Sequence, residues 1–257
     1  MGYNQETGSW NCWSCGVFGS GPIALTVLAL ETREEEALER VLPYVLAYDS
    51  ERRERKVVRR HLLPEMELLG LVPLPETAQK YLRERGIPLE FAERKGARWS
   101  MENRRLIVPV ETDWWVGRRI VEDPMRPKYL FPKFFPRTTI LYNYQEYSQS
   151  KEVAVVEGVF DAWKVELAGY PCVATFGSAV TKLQLELLRA FHSVIVVPDN
   201  DLGGQTFSNA LSKLQVAELW TVLPLRKKDI GEYDVEEVCS ILATKKRFWE
   251  VHGRIFR

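Results

Sequence analysis

Four cysteines among 257 residues are too few for a disulfide framework. Cys172 and Cys239 stand alone in apolar surroundings and read as buried small hydrophobes. A reducing, cytoplasmic setting follows. Net charge is also lacking: 35 basic residues balance 35 acidic ones, so bulk charge points to no acidic partner. No long apolar run is present. The uncharged stretch 7–30 is interrupted by Gly, Ser, Asn, Thr and two Cys, and only 23–30 is strongly apolar. That falls short of the ~20 residues of a spanning helix. No basic segment precedes it, so neither a secretory signal nor a membrane partner is expected. The GxxxxGK[ST] phosphate loop is absent too, so no ATPase or helicase activity is expected of this polypeptide. Internal repeats and low-complexity tracts are missing.

What is present is globular: 46% hydrophobic and 27% charged, enough for one large core or two modest ones. The charge balance conceals an asymmetry, with 20 basic against 14 acidic residues over 51–150. Three zones emerge along the chain. Residues 1–21 are rich in Gly, aromatics and turn formers around Cys12 and Cys15. Residues 23–30 and 34–48 read as helices, the latter from Leu38, Val41, Leu42 and Val45 at helical spacing, and 51–60 as a solvated charge run. After Pro73 and Pro75 a helix over 76–85 is stopped by Gly86 and Pro88. Short strands follow at 106–110, 114–120 and 139–141.

Beyond residue 150 the pattern changes to alternation. Strands at 153–156, 172–176, 194–197 and 219–223 are separated by helices at 159–168, 182–191 and near 205–213. Such alternation implies right-handed crossovers and a buried parallel sheet, an α/β fold. In such sheets ligands bind at the carboxyl ends of the strands. The first strand leads into Glu157 and Gly158, with Asp161 one turn later; the third into Asp199, Asn200 and Asp201, then Gly203 and Gly204; the fourth towards Asp229. Asp199 and Asp201 alternate, and so leave an extended chain on one side. Gathering carboxylates is costly without a cation, and hard oxygen donors suit Mg²⁺ or Mn²⁺. Asp161 and Asp229 each fit equally well as N-caps or turn formers. The two glycines would let the backbone turn closely around an ion or phosphate.

The run Val153-Ala154-Val155-Val156-Glu157-Gly158-Val159-Phe160-Asp161-Ala162, followed by Asp199-Asn200-Asp201-Leu202-Gly203-Gly204, resembles the Toprim signature of primases, topoisomerases and some nucleases. Upstream, Tyr81-Leu82-Arg83-Glu84-Arg85-Gly86-Ile87 resembles the "YLxxRGI" helix of primase cores. Arg105 to Val110, Val116-Gly117-Arg118-Arg119, Pro127-Lys128-Tyr129-Leu130, Lys133 and Leu141-Tyr142-Asn143 follow in the order of the subdomain that precedes Toprim in DnaG-type and bacteriophage primases. Thr7 to Gly16, with Cys12 and Cys15, resembles the second half of the primase zinc ribbon, although no Cys or His precedes Cys12 to complete four zinc ligands.

The resemblance implies a partial zinc ribbon at 1–21, a helical connector at 22–72, a basic template-binding subdomain at 73–150, a Toprim domain at 151–240 and a helical tail at 241–257. It implies a DNA-dependent RNA primase acting on single-stranded DNA and nucleoside triphosphates, with a replicative helicase as a separate partner. Asp199 and Asp201, supported by Asp229 and Asp161, would hold Mg²⁺, and Glu157 would be a ligand or the general base. Cys12 and Cys15 offer half a Zn²⁺ site. Arg105, Arg118 or Arg119, Lys128 and Lys133 would face template and nucleotide; the segment 94–137 carries 11 basic against 5 acidic residues. Trp114 and Trp115 are placed to stack on bases, but neighbours on a strand face opposite ways, so one belongs to the core. A Toprim nuclease would use the same acids to activate water, and an inactive DNA-binding accessory would need only the basic face. A topoisomerase needs a nucleophilic Tyr in a further domain.

Overall fold

Unbroken apolar runs become strands buried on both faces, and runs with helical spacing become the crossovers between them. The computed structural model describes residues 2–3, 9–11, 18–20, 36–37, 39–41, 69–110, 114–121, 123 and 125–253. The chain divides into two units, Met1–Pro64 with Lys133–Phe135, and Glu65–Pro132 with Pro136–Arg257.

In the first unit, β1 (Gly2–Tyr3), β2 (Ser9–Asn11) and β3 (Phe18–Ser20) form an antiparallel sheet in that order. Cys12 and Cys15 fall in the 12–17 connection, outside the described residues. So do the expected helix 23–30 and the charge run 51–60. Residues 36–37 and 39–41, inside the expected helix 34–48, are helical.

The second unit holds two five-stranded sheets. The first begins with β4 (Leu71–Val72), then α1 (Glu76–Glu84) and α2 (Leu89–Arg94), and continues through β5 (Arg98–Ser100), β6 (Arg105–Val110), β7 (Trp114–Arg118) and β8 (Tyr129–Leu130) as an antiparallel meander. Pro88 ends the α1 segment and also precedes α2 as its N-cap residue, a position where no backbone N–H is needed. Trp115 packs with Leu69 and Ile107, so it is the core member of the tryptophan pair.

The strand expected at 139–141 does not form. Thr139 N–H closes a turn on the Pro136 carbonyl, and a single bridge joins Tyr142 to Ala174. The apolar side chains of Ile140 and Leu141 are buried as a strand's would be, but the Ile140 carbonyl is taken by the Gln184 side chain, Nε2···O 2.9 Å, rather than by a ladder.

After α3 (Tyr144–Tyr147) comes the alternating half: β9 (Glu152–Val156), α4 (Val159–Leu167), β10 (Cys172–Ala174), α5 (Lys182–Leu188), β11 (Ser193–Val196), α6 (Leu202–Leu211) and β12 (Glu218–Thr221). A short 3₁₀ turn (Ile230–Glu232), α7 (Val235–Ala243), β13 (Lys246–Arg247) and α8 (Phe248–His252) follow. The strand order is β10-β9-β11-β12-β13, with the first four parallel and β13 antiparallel at the edge. The tail, expected to be helical, therefore also extends the sheet. Val153, Val155, Val173, Val194 and Val196 interleave with Leu188, Phe207 and Leu211 from the helices in one core. Cys172 is buried as expected, whereas Cys239 is only half-buried and its thiol faces the Ala168 carbonyl. Among the described residues no helix is long and apolar enough to cross a membrane.

Helix α6 starts three residues earlier than its sequence pattern suggested. Asp201 Oδ1 accepts from Gly204 N–H at 3.0 Å and caps it, so Gly203 and Gly204 belong to its first turn and not to a loop. A Cβ on Gly204 would overlap the Asp199 carbonyl, so glycine is required for the close approach of this turn to the strand end.

Candidate functional site

Parallel strands end on one edge, and that edge opens into a cavity of about 390 Å³ within the second unit. Five carboxylates line it: Glu157, Asp161, Asp199, Asp201 and Asp229. Glu157 directly follows β9, and Asp161 stands in the first turn of α4, where the helix dipole favours an anion. Gly158 precedes that helix. A Cβ there would stand 2.5 Å from Asp161 Oδ2, so its absence makes room for the carboxylate. Asp229 precedes the 3₁₀ turn and makes no side-chain cap bond, and α4 is not capped by Asp161 either. Both acids are thus free of the ordinary turn-forming duty that each had as an alternative, whereas Asp201 performs it.

Cations line the same cavity: Arg85 from the C-terminal end of α1, Arg118 from β7, Lys128 beside β8, Arg137 and Lys228. The Arg118 guanidinium lies 4.9 Å over the Tyr129 ring. A Cβ on Gly231 would meet Asp161 Oδ1 at 2.6 Å, Arg85 Nη1 at 2.7 Å and Asp229 Oδ1 at 3.1 Å, so two acids and a guanidinium converge over this glycine. Lys164, one turn beyond Asp161 and almost fully buried, donates to the Arg85 carbonyl and ties α1 to α4.

Proton affinities in the cavity are displaced. Burial and the negative charges of Asp201 and Asp161 push Glu157 up to about 7, against a restraining backbone hydrogen bond from Asp199. Burial, then Asp161, Glu157 and Asp229, push Asp199 up to about 8. Asp161 rises through burial and Asp229, opposed by Arg85, Lys128 and Arg118. Lys128 is lowered by burial and by Arg118, Lys228 and Arg85. Burial also works against the Arg85 charge, but Tyr81, Asp161 and Asp229 outweigh it and its pKa is raised.

Three buried oxygens, Glu157 Oε1, Asp161 Oδ1 and Asp229 Oδ1, have no hydrogen-bond partner. Desolvated, orphaned carboxylate oxygens in one cavity fit a hard divalent cation, which would supply both the missing partners and the missing charge. Among the described residues no three His, Cys, Asp or Glu close around a single point as they stand.

The sequence-derived bases divide. Arg118 and Lys128 line the cavity. Arg105 does not: it is buried, and its guanidinium donates to the carbonyls of Pro127 at 2.7 Å and Lys128 at 3.2 Å, crossing β7 where Gly117 leaves space. It braces the Lys128 segment from behind. Arg119 is outside the cavity lining and donates to the Arg126 carbonyl. Lys133 lies with the first unit, over the Phe134 ring. Arg85, Arg137 and Lys228 line the cavity without having been singled out, although the first sits in the YLRERGI run and the last beside Asp229.

Residues 151–223 match the Toprim domain family. The Gene 57 protein of Mycobacterium phage D29 is 33% identical over 94 residues, covering 35% of this chain and 60% of that protein. Among solved structures, the Aquifex aeolicus primase, zinc-binding and RNA polymerase domains, aligns with a TM-score of 0.58 at 21% identity, over 95% of this chain and 74% of that one. A DnaG primase catalytic domain bound to single-stranded DNA aligns with a TM-score of 0.55 at 20% identity, over 69% and 74%. Residues 151–223 form a Toprim domain, within a chain that has the fold of DnaG-type primase cores.

Proposed function

We propose that this chain is a DNA-dependent RNA primase core, joining nucleoside triphosphates into short RNA on single-stranded DNA. The observation that carries the reading is the cavity at the sheet edge, where five carboxylates, three of them with an unpartnered buried oxygen, stand with five cations. That pairing suits a triphosphate with its divalent cation: phosphate oxygens meet Arg and Lys, and the cation meets the acids. The primase-like meander sheet that supplies Arg118 and Lys128 favours this reading over a Toprim nuclease.

Asp199, Asp201 and Asp229, with Asp161, would hold Mg²⁺ or Mn²⁺, which when bound neutralises charge developing on the transferred phosphoryl group. Arg85, Arg118, Lys128 and Lys228 orient the triphosphate. Glu157 Oε1, raised to about 7, is poised to take the proton of the attacking 3′-hydroxyl near neutral pH. Arg119 and Lys133, outside the cavity, are assigned to the template backbone, where Lys and Arg bind phosphates without reading sequence. Cys12 and Cys15 are assigned to half of a zinc ribbon. A helicase acts in trans. Domain limits at 1–21, 22–72, 73–150, 151–240 and 241–257 go with this assignment.

The test is an assay with labelled nucleoside triphosphates and single-stranded DNA in Mg²⁺. RNA oligomers support the reading; cleavage of the DNA assigns the site to a nuclease, and DNA binding with neither product to an inactive accessory.

A further inference from the structure

Phe131 and Phe176 line the same cavity as the acids and bases, with ring centroids 6.2 Å apart in edge-to-face contact. An aromatic ring offers a phosphate no N–H or O–H donor and a metal ion no oxygen ligand. Phe176 is held at φ +64°, a left-handed conformation that is an outlier for a bulky residue. Such backbone persists where the surroundings enforce it, most often at ligand-binding sites. Here the enforcement is visible. Gly177 follows at φ +135°, and its N–H donates to the Glu157 carbonyl at 2.9 Å, fixing the turn to the end of β9.

The missing Cβ of Gly177 admits the Arg137 guanidinium: a Cβ there would stand 2.5 Å from Nη2. That guanidinium lies 5.6 Å from the Phe131 ring centroid. Gln184, fully buried, directs its Nε2 to the carbonyls of Arg137 at 3.1 Å and Thr175 at 3.2 Å, holding both sides of this wall together. Two rings and a planar cation thus share one wall of the cavity.

We infer that this wall is the nucleobase subsite: the base of an incoming nucleoside triphosphate stacks on Phe131, buttressed by Phe176 and Arg137. The assignment rests on the nucleotide reading above and adds to it the part of the nucleotide that the ionic residues do not address. Stacking accepts any base through its π-face, so the wall gives affinity without base choice, leaving selection to the template. Loss of one aromatic stacking partner costs about tenfold in affinity.

The experiment titrates the whole chain with ATP, GTP and inorganic tripolyphosphate in Mg²⁺ by calorimetry, comparing wild type with Phe131→Leu and Phe131→Trp. Phe131→Leu is expected to weaken ATP and GTP about tenfold alike, leave tripolyphosphate within twofold, and be rescued by Phe131→Trp. Equal affinity of the wild type for ATP and tripolyphosphate, equal weakening of both ligands, or unchanged ATP binding in Phe131→Leu would overturn the subsite while leaving the triphosphate site standing. So would a loss confined to single-stranded DNA binding, which would assign the wall to template bases. Binding of none of the three ligands by the wild type would overturn the nucleotide reading itself.

Discussion

Removing one charge from the acidic cavity should stabilise the metal-free protein while it destroys the proposed chemistry. Asp199 is the residue to change, because burial and its neighbours raise it from 3.8 to about 8. Between those values the folded chain keeps a proton on Asp199 that the unfolded chain has released, so stability from this group falls as pH rises. The loss is complete above about pH 8. Each tenfold step in proton affinity is about 1.4 kcal/mol, and the full span would exceed 5 kcal/mol. The cavity admits water and counter-ions, and screening reduces the net effect to about 1–3 kcal/mol. Asp199→Asn should therefore match wild type near pH 4 and exceed it by that amount at pH 8.5 in EDTA, measured by urea denaturation. Mg²⁺ should narrow the gap by stabilising the wild type, and oligomer synthesis by the variant should vanish while single-stranded DNA binding persists. If Asp199→Asn were less stable than wild type at pH 8.5, or the difference did not change with pH, the electrostatic account of this site would be refuted.

Substitutions at three further positions separate the duties that meet here. Asp201→Asn keeps a good N-cap for α6 and should leave stability within about 0.5 kcal/mol, whereas Asp201→Ala should cost about 1 kcal/mol in denaturation; both should lose synthesis. Gly204→Ala would drive its Cβ into the Asp199 carbonyl and should cost 3 kcal/mol or more on the scale of about 1–3 kcal/mol for ordinary overpacking, seen as a thermal midpoint lowered by several degrees. Gln184→Leu strips hydrogen bonds from the Arg137, Ile140 and Thr175 carbonyls and should cost about 2–4 kcal/mol, since each buried group left unpaired costs about 1–3 kcal/mol; loss of nucleotide binding should accompany it.

The alternating half of the fold was legible because its signals are local. Val153 to Val156 is apolar without interruption, as a strand buried on both faces must be, and the helices between strands carry enough apolar spacing to mark themselves. What failed depended on partners far along the chain. Residues 139–141 have strand composition, yet their backbone is claimed by the Gln184 side chain, 44 residues away from Ile140. No local pattern announces that capture. The start of α6 was missed for the opposite reason: two glycines look like a loop, but an Asp cap and a close backbone approach make them the right residues for a first helical turn.

For the site, the acids were readable and most of the bases were not. Carboxylates at the ends of parallel strands are brought together by topology alone, so Glu157, Asp199 and Asp229 follow once the strands are assigned. Bases arrive from a second sheet and from turns, where alternation says only which face of a strand each occupies. Arg105 and Arg118 stand on paired strands, yet one guanidinium is spent on the Pro127 and Lys128 carbonyls and the other lies over the Tyr129 ring in the cavity. The difference is set by Gly117, which leaves the space that Arg105 crosses. Charge counts cannot find such a residue; the packing of the strand beside it decides whether an arginine in a basic segment meets a phosphate or a carbonyl.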